Sequence, residues 1–278
     1  MFLIADIGSN ISDGRGIRWE RAVSQITSAA QAGFDAVKFQ LFRAAKLTSD
    51  KTLIPSLESL ELPEFWIPKL REVCESEGVE FMCTPFYLDA VDIIDPYVDR
   101  HKIASWDITY TDLLLKVASK NKPVILSTGA STPEEIVFAV KQIVSMSRVK
   151  NHTLLHCTGG YPTEPSEMNM RYMLDLGGVS WQFFNGSYGL SSHCVNPSVT
   201  SMVVPMGGDV LEVHYDFDGH GVEKGHSYTE ETIPVLVNTL KDMESALSCG
   251  CIMTLPDTVA RKIYRRNPSD WLRPFERD

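Results

Sequence analysis

Runs of four to six apolar residues, many of them β-branched or aromatic, recur along the chain: FLIADI at 2–7, AVKFQ at 36–40, VEFMC at 79–83, HKIA at 101–104, PVILS at 123–127, TLLHC at 153–157, SYGLS at 187–191 and VLEVH at 210–214. Runs of this length and composition predict strands buried on both faces, as a parallel sheet requires. Amphipathic stretches lie between them. WERAVSQITSAAQAG (19–33) reads as a helix stopped by Gly33, and STPEEIVFAVKQIV (131–144) as one opened by a Ser or Thr cap with Pro133 in its first turn. YTEETIPVLVNTLKDMESALSCG (228–250) reads as a long helix with Pro234 near its start and Gly250 as its stop. Eight strand signals, each followed by a helix or a long loop, predict an α/β protein of the (β/α)₈ TIM barrel type rather than an open doubly wound sheet. GSNISDG, after the first strand, also lacks the GxGxxG pattern of a dinucleotide fold. No Gly/Ser linker and no internal repeat divides the chain. The expected organisation is one catalytic barrel over residues 1–250 and a basic tail over 251–278.

Barrel strands are enclosed on both faces, so a polar residue inside one is costly unless it reaches the C-terminal mouth, where barrel active sites lie. Asp6, Lys38, Gln40, Lys102, Ser105, Ser127, His156, Ser191, His193, Glu212 and His214 all fall at or just beyond strand ends. A single strand-end histidine is more often a hydrogen-bonded core residue than a ligand, and a single serine is commonly a turn or cap. Several converging on one mouth weaken that reading. Side chains alternate along a strand, so Glu212 and His214 share a face, as do Ser191 and His193 if the strand persists that far. Strands seven and eight then bring His193 and His214 within reach of one divalent metal ion, with most of its shell open to water and substrate oxygens. Neutral nitrogen ligands leave the ion open among Mn²⁺, Fe²⁺, Co²⁺ and Zn²⁺. Lys38 and Lys102 need anions if buried. With hydroxyls at Ser105, Ser127 and Ser191 they make a site for phosphate or carboxylate, and the competing structural reading pairs them with Asp6, Asp35 or Asp107.

Composition and charge narrow the class. A net charge of −10 argues against nucleic-acid binding, and no apolar run approaches the roughly 20 residues of a membrane helix. The start MFLIADIGSN has no basic region ahead of its apolar run, and the six cysteines form neither a disulfide framework nor a CxxC pair; both point to a cytoplasmic protein. Arg261–Asp278 holds six basic residues against three acidic ones, the pattern of a solvated surface segment or a docking arm.

IADIGSN, AGFDAVKFQLFRAAKL, FMCTPFYLDAVDII, KIASWDITYTDLL, KPVILSTGASTPEEIVFAV, LLHCTGGYPT, LSSH and VLEVHYDFD together resemble the sialic acid synthase family, in that family's order and over residues 2 to 249. The resemblance implies a (β/α)₈ barrel and an enzyme that condenses phosphoenolpyruvate (PEP) with an aldose or amino sugar, releasing phosphate. It implies that Lys38, Thr84, Lys102, Ser105, Ser127 and Ser191 contact PEP, that Tyr161 contacts the sugar, and that His193 and His214 hold the metal, with Mn²⁺ the expected ion and Mg²⁺, Co²⁺, Fe²⁺ and Zn²⁺ as alternatives. Asp6 and Glu212 are the acidic members of the site and candidates for activating water, with Lys38 and Lys102 as the other catalytic residues. A homodimer is also implied. Gly159 stands where the family has asparagine, Gly225 where it has a sugar-binding aspartate, Ser192 where it has the aspartate of Ser-Asp-His, and Trp106 at a normally small position. The chain ends before the family's antifreeze-like domain, whose arginine Arg265, Arg266 or Arg273 would have to replace. The acceptor half is therefore expected to differ from the donor half. The alternatives are a metal-dependent aldolase or lyase on another phosphorylated substrate, and a noncatalytic sugar- or PEP-binding paralogue.

Overall fold

Each of the eight apolar runs forms a strand in the computed structural model, which describes residues 1–248. The strands are β1 (Phe2–Asp6), β2 (Ala36–Leu41), β3 (Glu80–Pro85), β4 (His101–Ile103), β5 (Val124–Ser127), β6 (Thr153–Cys157), β7 (Tyr188–Ser192) and β8 (Val210–His214). Their parallel ladder runs in the order β3, β2, β1, β8, β7, β6, β5, β4. The two end strands, β3 and β4, pack side by side, so the sheet curls into a nearly closed (β/α)₈ barrel. The helices are α1 (Trp19–Ala32), α2 (Ala44–Leu47), α3 (Ile54–Glu58), α4 (Ile67–Glu77), α5 (Leu88–Ile94), α6 (Thr111–Ser119), α7 (Pro133–Met146), α8 (Tyr172–Phe183), α9 (Pro197–Thr200) and α10 (Ile233–Ser248).

Local chemistry sets the boundaries. Gly33 ends α1 at φ 93°, a left-handed conformation that glycine takes without a Cβ penalty. Thr132 opens α7 with a capping box: its side chain accepts from the Glu135 N–H, while the Glu135 carboxylate accepts from the Thr132 N–H. α10 starts at Ile233 rather than at Tyr228, because the Thr229 N–H donates to Thr232 Oγ1 (2.8 Å), closing a turn ahead of Pro234. Gly250, Cys249 and Cys251, the 251–278 tail and Arg265, Arg266 and Arg273 lie outside the described residues. Among the described residues no helix is long and apolar enough to cross a membrane, and Cys74, Cys83, Cys157 and Cys194 are buried free thiols.

The barrel interior is stratified along the strand direction. Ile4, Ala36, Met82, Ile125, Leu155 and Val210 form a buried apolar floor. Two residues further along the same strands, on the same face, stand Asp6, Lys38, Thr84, Ser127, Cys157 and Glu212. The intervening positions, such as Ala5, Val37, Phe39 and Val213, belong to the larger apolar core that includes residues of α1, α4 and α10. At the β7–β8 seam the backbones approach closely, and a Cβ on Gly189 would sit 1.9 Å from the Val210 carbonyl oxygen. Only glycine fits there.

Candidate active site

Strand register decides which polar side chains become neighbours. Asp6 is level with Lys38 on β2 and with His214 on β8, Gln40 with Thr84, and Ser191 with both Cys157 and Glu212. These residues line a cavity of about 650 Å³ at the C-terminal end of the barrel. Lys102, Ser105, Ser127, Tyr161 and His193 line it too, so every site residue expected from the sequence meets in one place. His156 is the exception among the polar strand-end residues. One position out of phase, it faces outward and donates from Nε2 to the Met168 carbonyl at 2.7 Å.

The floor of the site is a buried charge cluster. Lys38 Nζ lies 2.7 Å from Asp6 Oδ2, 3.8 Å from Glu212 Oε2 and 3.5 Å from Thr84 Oγ1. Lys102 Nζ donates to Ser127 Oγ (2.7 Å) and to the Ile103 carbonyl (3.2 Å), and lies 3.5 Å from Glu212 Oε1. Asp6 is thus the partner the competing reading supplied for Lys38. The cavity nonetheless remains open above both ammonium groups. Burial pushes the Asp6 carboxyl up, but Lys38 and His214 outweigh it and hold it at about 2, so Asp6 is a poor proton acceptor. Burial alone would lower Lys38; Asp6 and Glu212 hold it above the ordinary lysine value. Lys102 is lowered by burial, which Glu212 offsets only in part. Glu212 Oε1 accepts from Ser191 Oγ (3.0 Å), while its buried Oε2 has no hydrogen-bond partner among the described residues.

His193 and His214 face each other with ring centroids 5.1 Å apart. The Nδ1–H of His193 donates to the Thr158 carbonyl (3.1 Å) and that of His214 to Glu223 Oε2 (2.8 Å). Neither Nε2 makes a hydrogen bond among the described residues, and that of His214 is 3.6 Å from Asp6 Oδ2. Donation from Nδ1 to a carbonyl or carboxylate is the arrangement that fixes a metal-binding imidazole with its Nε2 lone pair outward. Burial and the neighbouring His214 push His193 down to about 3, so its imidazole is neutral, as a metal ligand has to be. Burial disfavours charge on His214, but Asp6 and Glu223 raise it, so the spot favours a cation. These residues fit a divalent ion.

Tyr161 stacks on His193 at 3.9 Å between centroids, and Trp106, 66% exposed, stands at the mouth. Gly159 and Gly225 are exposed; among the described residues, chain neighbours aside, a Cβ at Gly159 would meet only the Ala130 Cβ at 4.0 Å and one at Gly225 would meet no heavy atom within 4 Å. Glu223 and His226 escaped the strand-based reading, and Asp107 entered it only as a possible lysine partner; all three line the cavity from segments outside the strands, where no periodicity marks them. His226 had a signal in KGHS, whose preceding Gly225 drew notice instead. Asp107 Oδ2 is buried without a hydrogen-bond partner, and burial pushes its carboxyl up to about 6 despite Lys102. Between about pH 4 and 6 the folded chain therefore holds a proton that the unfolded chain has lost, and stability falls as pH rises through that window. Asp107→Asn is expected to be more stable than the parent at pH 7.5 by roughly 2 kcal/mol, a gain that vanishes towards pH 4 in paired urea denaturations.

Comparison with known proteins bears on this geometry. The model of the family described as "NeuB family" matches residues 25–251. The chain is 34% identical to an uncharacterised protein of Methanocaldococcus jannaschii, over 92% of this chain and 74% of that one. It is 32% identical to the N,N'-diacetyllegionaminic acid synthase of Legionella pneumophila, over 90% of this chain and 74% of that one. Among solved structures, the N-acetylneuraminic acid (sialic acid) synthetase of Leptospira borgpetersenii, in complex with citrate, superposes with a TM-score of 0.84 at 25% identity, covering 96% of this chain and 92% of that chain.

Proposed function

Because the chain belongs to the NeuB family, we propose that it condenses PEP with the open-chain aldehyde of an aldose or amino sugar, releasing phosphate and a 2-keto acid in the presence of a divalent metal ion. The observation that carries this reading is the meeting of two facing imidazoles and two buried ammonium groups on the wall of one roomy cavity. A divalent ion held by His193 and His214 supplies Lewis-acid polarisation of the acceptor's carbonyl oxygen. Lys38 and Lys102 seat the anionic donor, with hydroxyls from Thr84, Ser105, Ser127 and Ser191 around it, and this positioning supplies much of the rate. The donor's methylene carbon bonds to the acceptor's aldehyde carbon as the C=O π pair moves onto the carbonyl oxygen, which takes up a proton to become a hydroxyl, and positive character develops at the donor's phosphate-bearing carbon. Water adds there, losing a proton, and phosphate leaves with cleavage of the C–O bond. Glu212, whose Oε2 accepts no hydrogen bond among the described residues and lies 3.8 Å from Lys38, is better placed to take that proton than Asp6, which Lys38 holds at 2.7 Å. Tyr161 and Trp106 give the acceptor an aromatic wall.

The test is a panel of aldoses, amino sugars and their phosphates, assayed for acceptor-dependent phosphate release from PEP. Turnover with at least one acceptor, stopped by EDTA and restored by Mn²⁺, supports the proposal. Metal-dependent cleavage of a phosphorylated sugar without PEP would establish a lyase in its place. Binding of PEP with no turnover on any acceptor would establish a noncatalytic paralogue.

The room beside Gly225 makes a second measurement informative. Gly225→Asp is expected to leave stability within about 0.5 kcal/mol, since among the described residues no neighbouring atom meets the new Cβ. Turnover with hydroxyl-rich acceptors is expected to rise relative to more heavily acylated ones, as read from the kcat/KM ratio.

A further inference from the structure

A third imidazole stands at this mouth. The His226 ring centroid lies 4.6 Å from that of His214 and 6.1 Å from that of His193. One ligand-capable atom from each of His214, Glu223 and His226 falls within 4.8 Å of the others. The His226 ring makes no side-chain hydrogen bond among the described residues, whereas both oxygens of Glu223 are engaged. Its Oε1 accepts from the Ser9 N–H (2.9 Å) and its Oε2 from His214 Nδ1 (2.8 Å). Glu223 is therefore committed to orienting its neighbours, which leaves His226 as the uncommitted donor.

The loop that delivers these residues is pinned. Buried Asn10 accepts the Glu223 N–H at its Oδ1 (2.8 Å) and donates from Nδ2 to Ser227 Oγ and to the Tyr215 carbonyl, each at 3.1 Å. Ser227 Oγ donates to the Glu223 carbonyl (2.8 Å), closing the turn around His226. Gly8 leaves the space that the Glu223 carboxylate fills, for a Cβ there would lie 2.5 Å from Oε2. A ligand presented on so restrained a loop loses little conformational entropy when it binds.

We propose that His226 is a third nitrogen ligand, so that His193, His214 and His226 hold the divalent ion together while Glu223 positions His214 from behind. This rests on the reading above that an ion binds between His193 and His214. Three imidazoles, in place of two, shift preference towards ions with high nitrogen affinity such as Co²⁺ and Zn²⁺, and away from Mg²⁺. Coordination positions remain for substrate oxygens, as a catalytic site requires.

The experiment titrates the metal-free full chain with Co²⁺ alone, read by its visible absorption band and by calorimetry. His226→Ala and His226→Gln are compared with His214→Ala and with His220→Ala, an exposed histidine outside the cavity, as a control; far-UV circular dichroism in the absence of metal reports folding. The expected result is a loss of more than about 10-fold in Co²⁺ affinity with a changed band in both His226 variants, at unchanged circular dichroism. The glutamine variant keeps side-chain bulk, so it separates a lost ligand from a collapsed loop. If both His226 variants bind Co²⁺ as the parent does while His214→Ala does not, the third ligand is refuted and the two-histidine reading stands. If His214→Ala also binds as the parent does, that underlying reading falls too.

Discussion

Replacing His214 by alanine is expected to lower metal-dependent phosphate release from PEP by at least about 10³-fold, because Lewis-acid activation contributes several kcal/mol and each 1.4 kcal/mol is a factor of ten. His214 stands level with Asp6, donates to Glu223, packs its ring beside that of His193 and keeps its remaining nitrogen 3.6 Å from Asp6 Oδ2. Its loss removes one of the proposed metal ligands and leaves Asp6 and Glu223 without the imidazole between them. Metal affinity and turnover should fall together. The parent's turnover in the variant, measured at saturating Mn²⁺, would remove the metal from the reaction. A fall in stability alone, with turnover per folded molecule unchanged, would do the same.

Lys102→Met is expected to separate donor binding from metal binding. Asp6 and Glu212 offset the charges of Lys38 and Lys102, so the cluster is near neutral as it stands, and removing one ammonium leaves it repelling an anionic donor. Loss of a buried charge-assisted contact is worth about 3 kcal/mol, so KM for PEP should rise about 100-fold. Co²⁺ affinity should stay close to the parent's, since the Lys102 ammonium is engaged by Ser127, the Ile103 carbonyl and Glu212 rather than by His193 or His214. Isothermal titration with PEP and with Co²⁺, run separately on the same protein, reads both quantities. Unchanged KM would mean that Lys102 is only a structural partner of Glu212.

Much of the site was legible because barrel strands impose a period of two on side-chain direction. An acid followed two residues later by an imidazole, as in Glu212 and His214, places both on one face whatever the rest of the chain does. The same rule excludes His156, whose out-of-phase position was visible in TLLHC but outweighed by its place at a strand end. Asp6 was read as an acid available to the reaction. Its pairing with Lys38 depends on the β1–β2 register, which a single sequence does not state. Glu223 and His226 reach the cavity through Asn10, more than 200 residues away in the chain, and no local pattern encodes such a contact.

The amino-acid sequence by itself determined the alternation of strand and helix, the barrel it implies, the family, and the polar residues at the strand ends. These follow from local rules: burial on both strand faces, capping chemistry and the period of two. Only the tertiary structure decided which charges neutralise one another and which loop histidine stands beside the two at the strand ends. Those outcomes depend on register and on loop closure, where side chains distant in sequence compete for the same buried partners.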